Sequence, residues 1–562
     1  MRLRPGLQLL RRHISDASAP RVLSRRQELE RANALKYPRL RHHAPVVRIP
    51  DFRAKHVDIE AGVVDPDEVT LHGRIETVRT AGSKLVFLDL TAEFDRVQGV
   101  CNLGKLADGT TVQDFKARSK LLIRGDIVAV TGRATRTSTG ELSIQATRLP
   151  EVLTPTIAAL PTSLIDDESR MRHRHIDMLV NRKTTDTLRL RSYIIKYMRD
   201  FFHDRNFLEF QTPILAADAG GAAARPFTVS SNAISRDVSL RIAPELWLKR
   251  LVVGGVDRVF ELGPAFRNEG IDLTHNPEFT ICEFYHAYAN LPDLISVTED
   301  LIRGLATHCH SLSSTKLTSL PPIDLAPFQV PFQQAEFIPT LESALGFTFP
   351  NLTSPTALPD LLTLLKANNT PPDVIKEANT LPQLLDNLAA AYIEPLSATA
   401  PLFVIHQPVC MSPLAKSFTC PKTGQAVSAR TELFMGAREL ANMYEEENDP
   451  DAQHRKFLDQ AAERTAEGEN TVVDDGYVEA LESGLPPTGG WGCGVERLVM
   501  LFSGSKRISD CLSFGNLKNV AALGAGAKGH RQGSGPGQEE KGSVEHVSEA
   551  SSVIDGKEVI NS

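Results

Sequence analysis

No stretch of the sequence approaches the about 18 consecutive apolar residues of a membrane-crossing helix, so a transmembrane segment is excluded. Cysteine excludes more. Cys101, Cys282, Cys309, Cys410, Cys420, Cys493 and Cys511 are odd in number and scattered. None forms a C-x-x-C pair, which leaves neither a disulfide framework nor a zinc site. His308-Cys309-His310 has ligand-like residue types, yet a metal is not expected there. No G-x-x-x-x-G-K-[ST] loop occurs, so any nucleotide must be held in another way. Charge of one sign is not in large excess either. A formal net charge of −7 argues against a protein that coats nucleic acid, but leaves room for a local basic patch.

What is present is the composition of a globular protein, 41% hydrophobic and 23% charged. A chain of 562 residues is too long for one core, so two or three domains are expected. The first 26 residues hold Arg2, Arg4, Arg11, Arg12, Arg21, Arg25 and Arg26 against one acid, Asp16. Leu3, Leu7, Leu10 and Ile14 recur at near-helical spacing opposite them. That is the make-up of a mitochondrial presequence, with a basic tail of a cytoplasmic protein as the alternative. Residues 1–44 are thus expected to be presequence and leading helix.

From 65 to 152 the pattern changes to short alternating runs, among them VTLHGRIETV, LVFLDLT and DIVAVTGRAT, punctuated by glycine. Five such strands in this length suit a small closed barrel, an OB-fold. Residues 153–169 are Pro-rich and read as a linker. After it, Leu190, Ile194, Tyr197, Met198 and Phe201 fall on one helical face. Irregular alternation of strands and helices from 170 to 519 is the pattern of an α+β catalytic domain. Within it, residues 311–400 read as a helical insertion with little obvious chemistry. The stretch 520–562 is Gly, Ser, Glu and Lys with few aromatics and is expected to be disordered.

Phe266 to Tyr288 (FRNEGIDLTHNPEFTICEFYHAY) reads as two strands joined by a polar loop. Arg267 and Glu269 stand two apart, on one face of the first strand. A guanidinium can clamp a carboxylate and a phosphate with fixed geometry. Glu283 and Tyr285 are again two apart. With Glu446 from a later strand they would surround an ammonium group, and leaving such carboxylates unpaired penalises neutral ligands. In TELFMGAREL, Glu432 and Glu439 are expected to pair across a hairpin whose two-residue loop is Met435-Gly436. Two carboxylates brought together this way call for a divalent cation such as Mg²⁺. GGWGCGVERLVMLF places small residues, which permit close approach of a nucleotide, ahead of an apolar helix that begins near Arg497.

These segments, together with Arg170 to Asn181, NFLEFQTPIL, RIAPELWLKRLVVGG and PVCMSPLAK, resemble in order the class II aminoacyl-tRNA synthetases, specifically the lysyl enzymes of subclass b. The resemblance covers roughly residues 65 to 519. A surface hairpin with salt bridges would explain the charges but not the ordered match. The resemblance implies that Arg267 holds the α-phosphate of ATP and the amino-acid carboxylate, the latter with Asn442. It implies ATP contacts for Glu269, His275 and Asn276, adenine stacking on Phe279, and a γ-phosphate contact for Arg497. Glu432 and Glu439 would bind Mg²⁺. Gly221 and Glu245 would hold the α-amino group of lysine, with Glu283, Tyr285, Tyr444 and Glu446 completing the lysine site. On the barrel, Arg74, Phe87, Gln98 and Glu141 match anticodon-reading positions.

The sequence departs from the family at Glu496, where Asp is usual, and at SFGNLKN, where an LFP-type ending is usual. These departures put the local packing and the C-terminal boundary in doubt, not the arginine. NFLEFQTPIL resembles motif 1, which implies a homodimer. The implied partners are tRNA(Lys) and lysine. An aspartyl or asparaginyl enzyme of the same subclass is disfavoured by Glu283, Tyr285 and Glu446. A non-catalytic tRNA-binding descendant is disfavoured because Arg267, Glu432, Glu439 and Arg497 are all present.

Overall fold

The computed structural model describes residues 24–41, 44–107, 109–217, 220, 224–329, 331–376, 378–466 and 473–525. Most of the expected leader, residue 221 and residues 526–562 lie outside these. The described residues up to Thr185 form one compact unit and those from Asp186 a second.

In the first unit, alternating apolar residues build a barrel from β1 (Val64–Thr80), β2 (Leu85–Ala92), β3 (Asp95–Asn102), β4 (Ile127–Arg136), β5 (Leu142–Ala146) and β6 (Glu151–Thr154). The order is β1-β2-β3-β5-β4, closed by pairing of β1 with β4, and β6 adds to β4. Leu71, Ile75, Val86, Leu88, Leu90, Val97, Val128, Val130 and Ile144 point inward to one core. A side chain on Gly132 would stand 2.2 Å from the Gln145 carbonyl oxygen, so only glycine lets β4 and β5 meet there.

Helix α1, residues 24–31, belongs to this unit. The Arg25 guanidinium is buried, donating to the Leu121 carbonyl at 2.7 Å and lying 3.2 Å from the Asp126 carboxylate. Arg25, which the sequence reading counted with the leader, is therefore part of the folded barrel unit. The first compact unit also runs past residue 170, the expected start of the catalytic domain, to Thr185. Within this segment buried Asp177 accepts from Arg170 at 3.0 Å, Arg174 at 2.8 Å and Thr184 at 2.8 Å, which fixes its short helices to one another.

The second unit is built on an eight-stranded sheet. Its strands are β7 (Leu208–Glu209), β8 (Arg258–Phe266), β9 (Glu278–Ala287), β10 (Gln333–Glu336), β11 (Leu402–Ile405), β12 (Arg430–Phe434), β13 (Glu439–Glu445) and β14 (Thr488–Gly494). They lie in the order β10-β11-β12-β13-β14-β9-β8-β7, antiparallel except at the two edges. Helix α2 (Arg182–His203) buries Leu190, Ile194, Met198 and Phe201 in the main core, as its periodicity predicted. Helix α3 (Glu245–Val253) follows a small three-stranded sheet. Cys282 and Phe284 of β9 and Trp491 of β14 face the main core, where Phe284 stacks on Trp491 at 5.2 Å. Because strand residues alternate, Glu283 and Tyr285 face the opposite side.

The predicted insertion is shorter than expected. Helix α4 (Leu291–Thr315) runs unbroken through residue 311, since Leu305, Cys309 and Leu312 continue its buried face. The helices between Phe337 and Ile393 form a second core with Leu402, Val404, Val427 and Phe434 of the neighbouring strands. Cys309 is packed in the main core, and among the described residues no group of three or more His, Cys, Asp or Glu could hold a metal. The chain also stays regular past 520, in a helix over Leu517–Ala525, where disorder was expected.

Candidate active site

Strand β8 ends at Phe266, but the ladder with β9 continues one bond further, from Arg267 N to the Pro277 carbonyl at 2.8 Å. Arg267 is thereby fixed at the mouth of the hairpin, and Glu269 lies in the loop beyond it. A cavity of about 460 Å³ opens on this face of the sheet. It is lined by Glu245, Arg267, Glu269, His275, Asn276, Phe279, Glu283, Tyr285, Glu432, Glu439, Asn442, Tyr444 and Arg497. Of the residues predicted for this site, Gly221 lies outside the described residues and Glu446 does not line the cavity. All the others meet in it.

At one end sits an acid-rich, aromatic lining. The Tyr285 hydroxyl donates to Glu283 at 3.2 Å, and the Tyr444 hydroxyl donates to Glu245 at 2.7 Å. Burial pushes the Glu283 carboxyl up to about 8, with Glu245 adding to the rise and Tyr285 and Arg267 opposing it. Glu446 stands behind this lining. Its carboxylate lies 2.5 Å from Nζ of Lys249, which is also 2.6 Å from Glu245. Gly490 makes this packing work, because a Cβ there would stand 1.8 Å from Glu446 Oε1 and 2.7 Å from the Tyr285 ring. Gly490 thus admits Tyr285 and Glu446, and Gly490, Gly492 and Gly494 all line the cavity.

Arg267 lies over the Phe279 ring at 5.2 Å, and its Nε is 3.5 Å from the Ile242 carbonyl. Asn442 is oriented by Arg430, whose Nε donates to the amide oxygen at 2.9 Å. Asn276 is held by backbone: its amide donates to the Glu278 carbonyl at 2.6 Å and accepts from Leu517 N at 3.0 Å. His275 is bonded to Asp272 at 2.8 Å, and its other ring nitrogen lies 3.3 Å from Arg497. Arg497 in turn donates to the Glu439 carbonyl at 2.9 Å and lies 3.1 Å from its carboxylate.

The hairpin register differs from the expected one. Glu432 pairs with Asn442, and Glu439 pairs with Phe434. Gly436 and Ala437 both have positive φ, at 63° and 54°, and Met435 N bonds the Arg438 carbonyl at 2.9 Å. The two-residue turn is therefore Gly436-Ala437, and a bulge at Leu440 shifts the strands. The two carboxylates nevertheless interact. Burial raises the Glu432 carboxyl, Arg430 opposes the rise, and Glu439 and Asp386 add to it. Asp386 and Glu394 are raised by burial and by the same acids, so the helical segment does bring charge to this end.

Three groups escaped the sequence reading. Lys249 was legible as a helical i, i+4 partner of Glu245, and Arg430 as the same-face neighbour of Glu432. Asp386 had no local signal. Glu496, the departure from the usual Asp, is fully used: it binds Arg191 at 2.8 Å and Thr280 N at 3.0 Å.

On the barrel, Arg74, Phe87 and Gln98 point away from the core, Arg74 opposite Thr91 and Gln98 opposite Asp89. Arg74 donates to the Gly125 carbonyl at 2.8 Å, Arg79 lies over Phe87 at 5.9 Å, and Gln98 accepts from Ser143 at 3.1 Å. Glu141 is exposed just before β5.

Residues 166–518 match the family of tRNA synthetases class II (D, K and N), and residues 69–152 match the OB-fold nucleic acid binding domain. A mitochondrial lysine–tRNA ligase of Schizosaccharomyces pombe is 41% identical over 509 residues, 89% of this chain and 93% of its own. A mitochondrial lysine–tRNA ligase of Saccharomyces cerevisiae is 36% identical, over 84% of this chain and 87% of its own. The lysine–tRNA ligase of a Synechococcus species is also 36% identical, over 87% and 98%.

The chain belongs to the class II lysyl-tRNA synthetases.

As a lysine–tRNA ligase it uses ATP to join lysine to tRNA. The barrel unit is the family's OB-fold, and the second unit carries the cavity.

Proposed function

We propose that the cavity binds lysine and ATP side by side, with the residue roles that the resemblance implied, save that Glu446 supports the lysine site from behind its lining. The observation that carries this is Glu283, a buried carboxylate facing the cavity with no ion pair among the described residues. A buried carboxylate without a cation is costly, and the ε-ammonium of lysine supplies one. Glu245, bonded to Tyr444, faces the same space and receives the α-ammonium. Arg267 takes the lysine carboxylate. Asn442, its oxygen engaged by Arg430, turns its amide N–H toward that carboxylate. Phe279 and His275 bound the nucleotide, and Asn276 shapes the loop that holds it.

The lysine carboxylate attacks the α-phosphorus in line and pyrophosphate leaves. The terminal adenosine hydroxyl of tRNA then attacks the carbonyl carbon of the lysyl-adenylate and releases AMP. No side-chain nucleophile is needed. Arg267 and Arg497 stabilise the developing charge, and binding supplies orientation. Glu432 and Glu439 fit a divalent cation, since both carboxylates line one cavity and Glu439 adds to the rise of the Glu432 carboxyl. Two carboxylates alone are too few to hold such an ion tightly, so the site would fill only together with ATP. When bound, Mg²⁺ neutralises charge on the triphosphate.

On the barrel, Phe87 stacks an anticodon base while Arg74, Gln98 and Glu141 read polar edges. A homodimer is supported by the exposed apolar residues of the motif 1 segment, Leu208, Ile214 and Leu215. Import into mitochondria is supported by the arginine-rich leader and by two relatives named as mitochondrial. A fluorescent fusion of residues 1–45 is expected in mitochondria, and a cytosolic signal would refute import.

The site assignment is tested by amino-acid-dependent ATP–pyrophosphate exchange. Glu283→Gln is expected to raise KM for lysine at least about 30-fold while leaving KM for ATP within about twofold. Equal losses on both substrates would overturn the role of Glu283.

A further inference from the structure

Lys249 is wholly buried on α3, one turn beyond Glu245 and within the lysine-binding end of the unit. Its ammonium lies 2.6 Å from Glu245 and 2.5 Å from Glu446. Three tyrosine rings surround it, Tyr285 and Tyr444 at 5.9 Å and Tyr477 at 5.4 Å. Carboxylates with aromatic faces are what a protein uses to hold a desolvated ammonium. The protein thus keeps one lysine of its own directly behind the place where it takes another.

Counting charge gives this arrangement a purpose. Glu245, Glu283 and Glu446 are all buried at this end. Lysine brings two ammonium groups, and its carboxylate is met by Arg267. Two incoming cations cannot balance three carboxylates; with Lys249 the count closes. We infer that Lys249 is a positioning residue for lysine recognition, a built-in counter-ion that pairs with Glu245 and Glu446 and orients both, so that the three carboxylates leave room for the two ammonium groups of lysine and no more. It touches neither substrate and acts through the two glutamates.

The surrounding groups agree. Burial works against the Lys249 ammonium, but Glu245 and Glu446 outweigh it and hold Lys249 well above its usual value. Burial pushes the Glu446 carboxyl up, and Lys249 opposes that rise. Without Lys249, Glu446 would take up a proton, and lysine binding would have to expel it.

This inference rests on the cavity being the lysine site. The test is ATP–pyrophosphate exchange on the full chain for Lys249→Met, Lys249→Met/Glu446→Gln and Glu283→Gln, with melting temperature followed for each. Lys249→Met removes the charge at similar volume. It is expected to raise KM for lysine at least about 30-fold with KM for ATP unchanged, and to steepen the fall of lysine KM with rising pH by about one proton. The double variant restores the charge count and is expected to regain most of the lysine affinity, about tenfold or more. A purely space-filling role predicts no regain and no change of pH slope, and either result would overturn the inference. If Lys249→Met does not fold, the double variant decides: a folded protein that binds lysine supports the inference, and failure of both refutes it. If Glu283→Gln leaves lysine KM unchanged, the assignment of the cavity itself has failed. If Glu283→Gln raises it and Lys249→Met does not, only the role of Lys249 has failed.

Discussion

At the scale of single residues, the pocket is a problem in placing negative charge where water cannot reach. Glu283 accepts from Tyr285 and faces the cavity, and burial holds its carboxyl up to about 8. In the free protein the protonated form favours the fold, and that contribution is lost as pH rises from the ordinary carboxylate range through about 8. An incoming ammonium reverses the balance, because it favours the ionised form. Lysine binding therefore releases a proton below pH 8, and KM for lysine is expected to fall as pH rises from 6 to 8 and then level off. Glu283→Gln should remove this dependence, measured as KM against pH in the exchange reaction; a variant with the parent profile would refute it. Glu283 and Tyr285 were legible because two-residue spacing in a strand puts both on one face. Lys249 was less so, since nothing local says that an i, i+4 pair is buried and serves two glutamates from different elements.

At the scale of elements, the hairpin and α1 show where local rules run out. TELFMGAREL announced a hairpin, and a hairpin forms. The sequence points to Met435-Gly436 as the turn, whereas the positive φ of Ala437 puts it one residue later. A one-residue error of this kind changes every cross-strand partner. The leading helix was expected and forms, but Arg25 was placed outside it, because arginine density looks the same in a leader and in a helix that docks. Arg25 is distinguished only by Asp126, a hundred residues on, which also accepts from Ile123 N at 3.0 Å and Thr156 N at 2.7 Å. Removal of residues 1–23 should leave the melting temperature unchanged. Removal through residue 33 strands a buried carboxylate and should lower it by about 5–10 °C, as read by calorimetry. Equal melting of the two truncations would show that α1 does not belong to the barrel unit.

At the scale of the whole molecule, two recognition tasks fall to two separate folding units. The acid-lined cavity is built wholly from residues beyond Asp186, whereas Arg74, Phe87, Gln98 and Glu141 belong to the barrel. The alternating runs made the barrel legible, and the ordered motifs made the catalytic sheet legible. The division itself was harder to read, because the short helices after the linker group with the barrel unit although the synthetase family match already begins at residue 166. Separation of tasks has a kinetic signature. Lysine activation needs no tRNA, so a change confined to the barrel's outer face should leave it untouched. Phe87 is half-buried on that face, between buried Val86 and Leu88 that point into the core, so its ring can be removed without opening the core. Phe87→Ala is expected to leave ATP–pyrophosphate exchange unchanged and to raise KM for tRNA in aminoacylation about 5- to 100-fold, the worth of one stacked base. Loss of exchange in this variant would mean that the two units do not act independently in lysine activation, and an unchanged KM for tRNA would remove Phe87 from the anticodon surface.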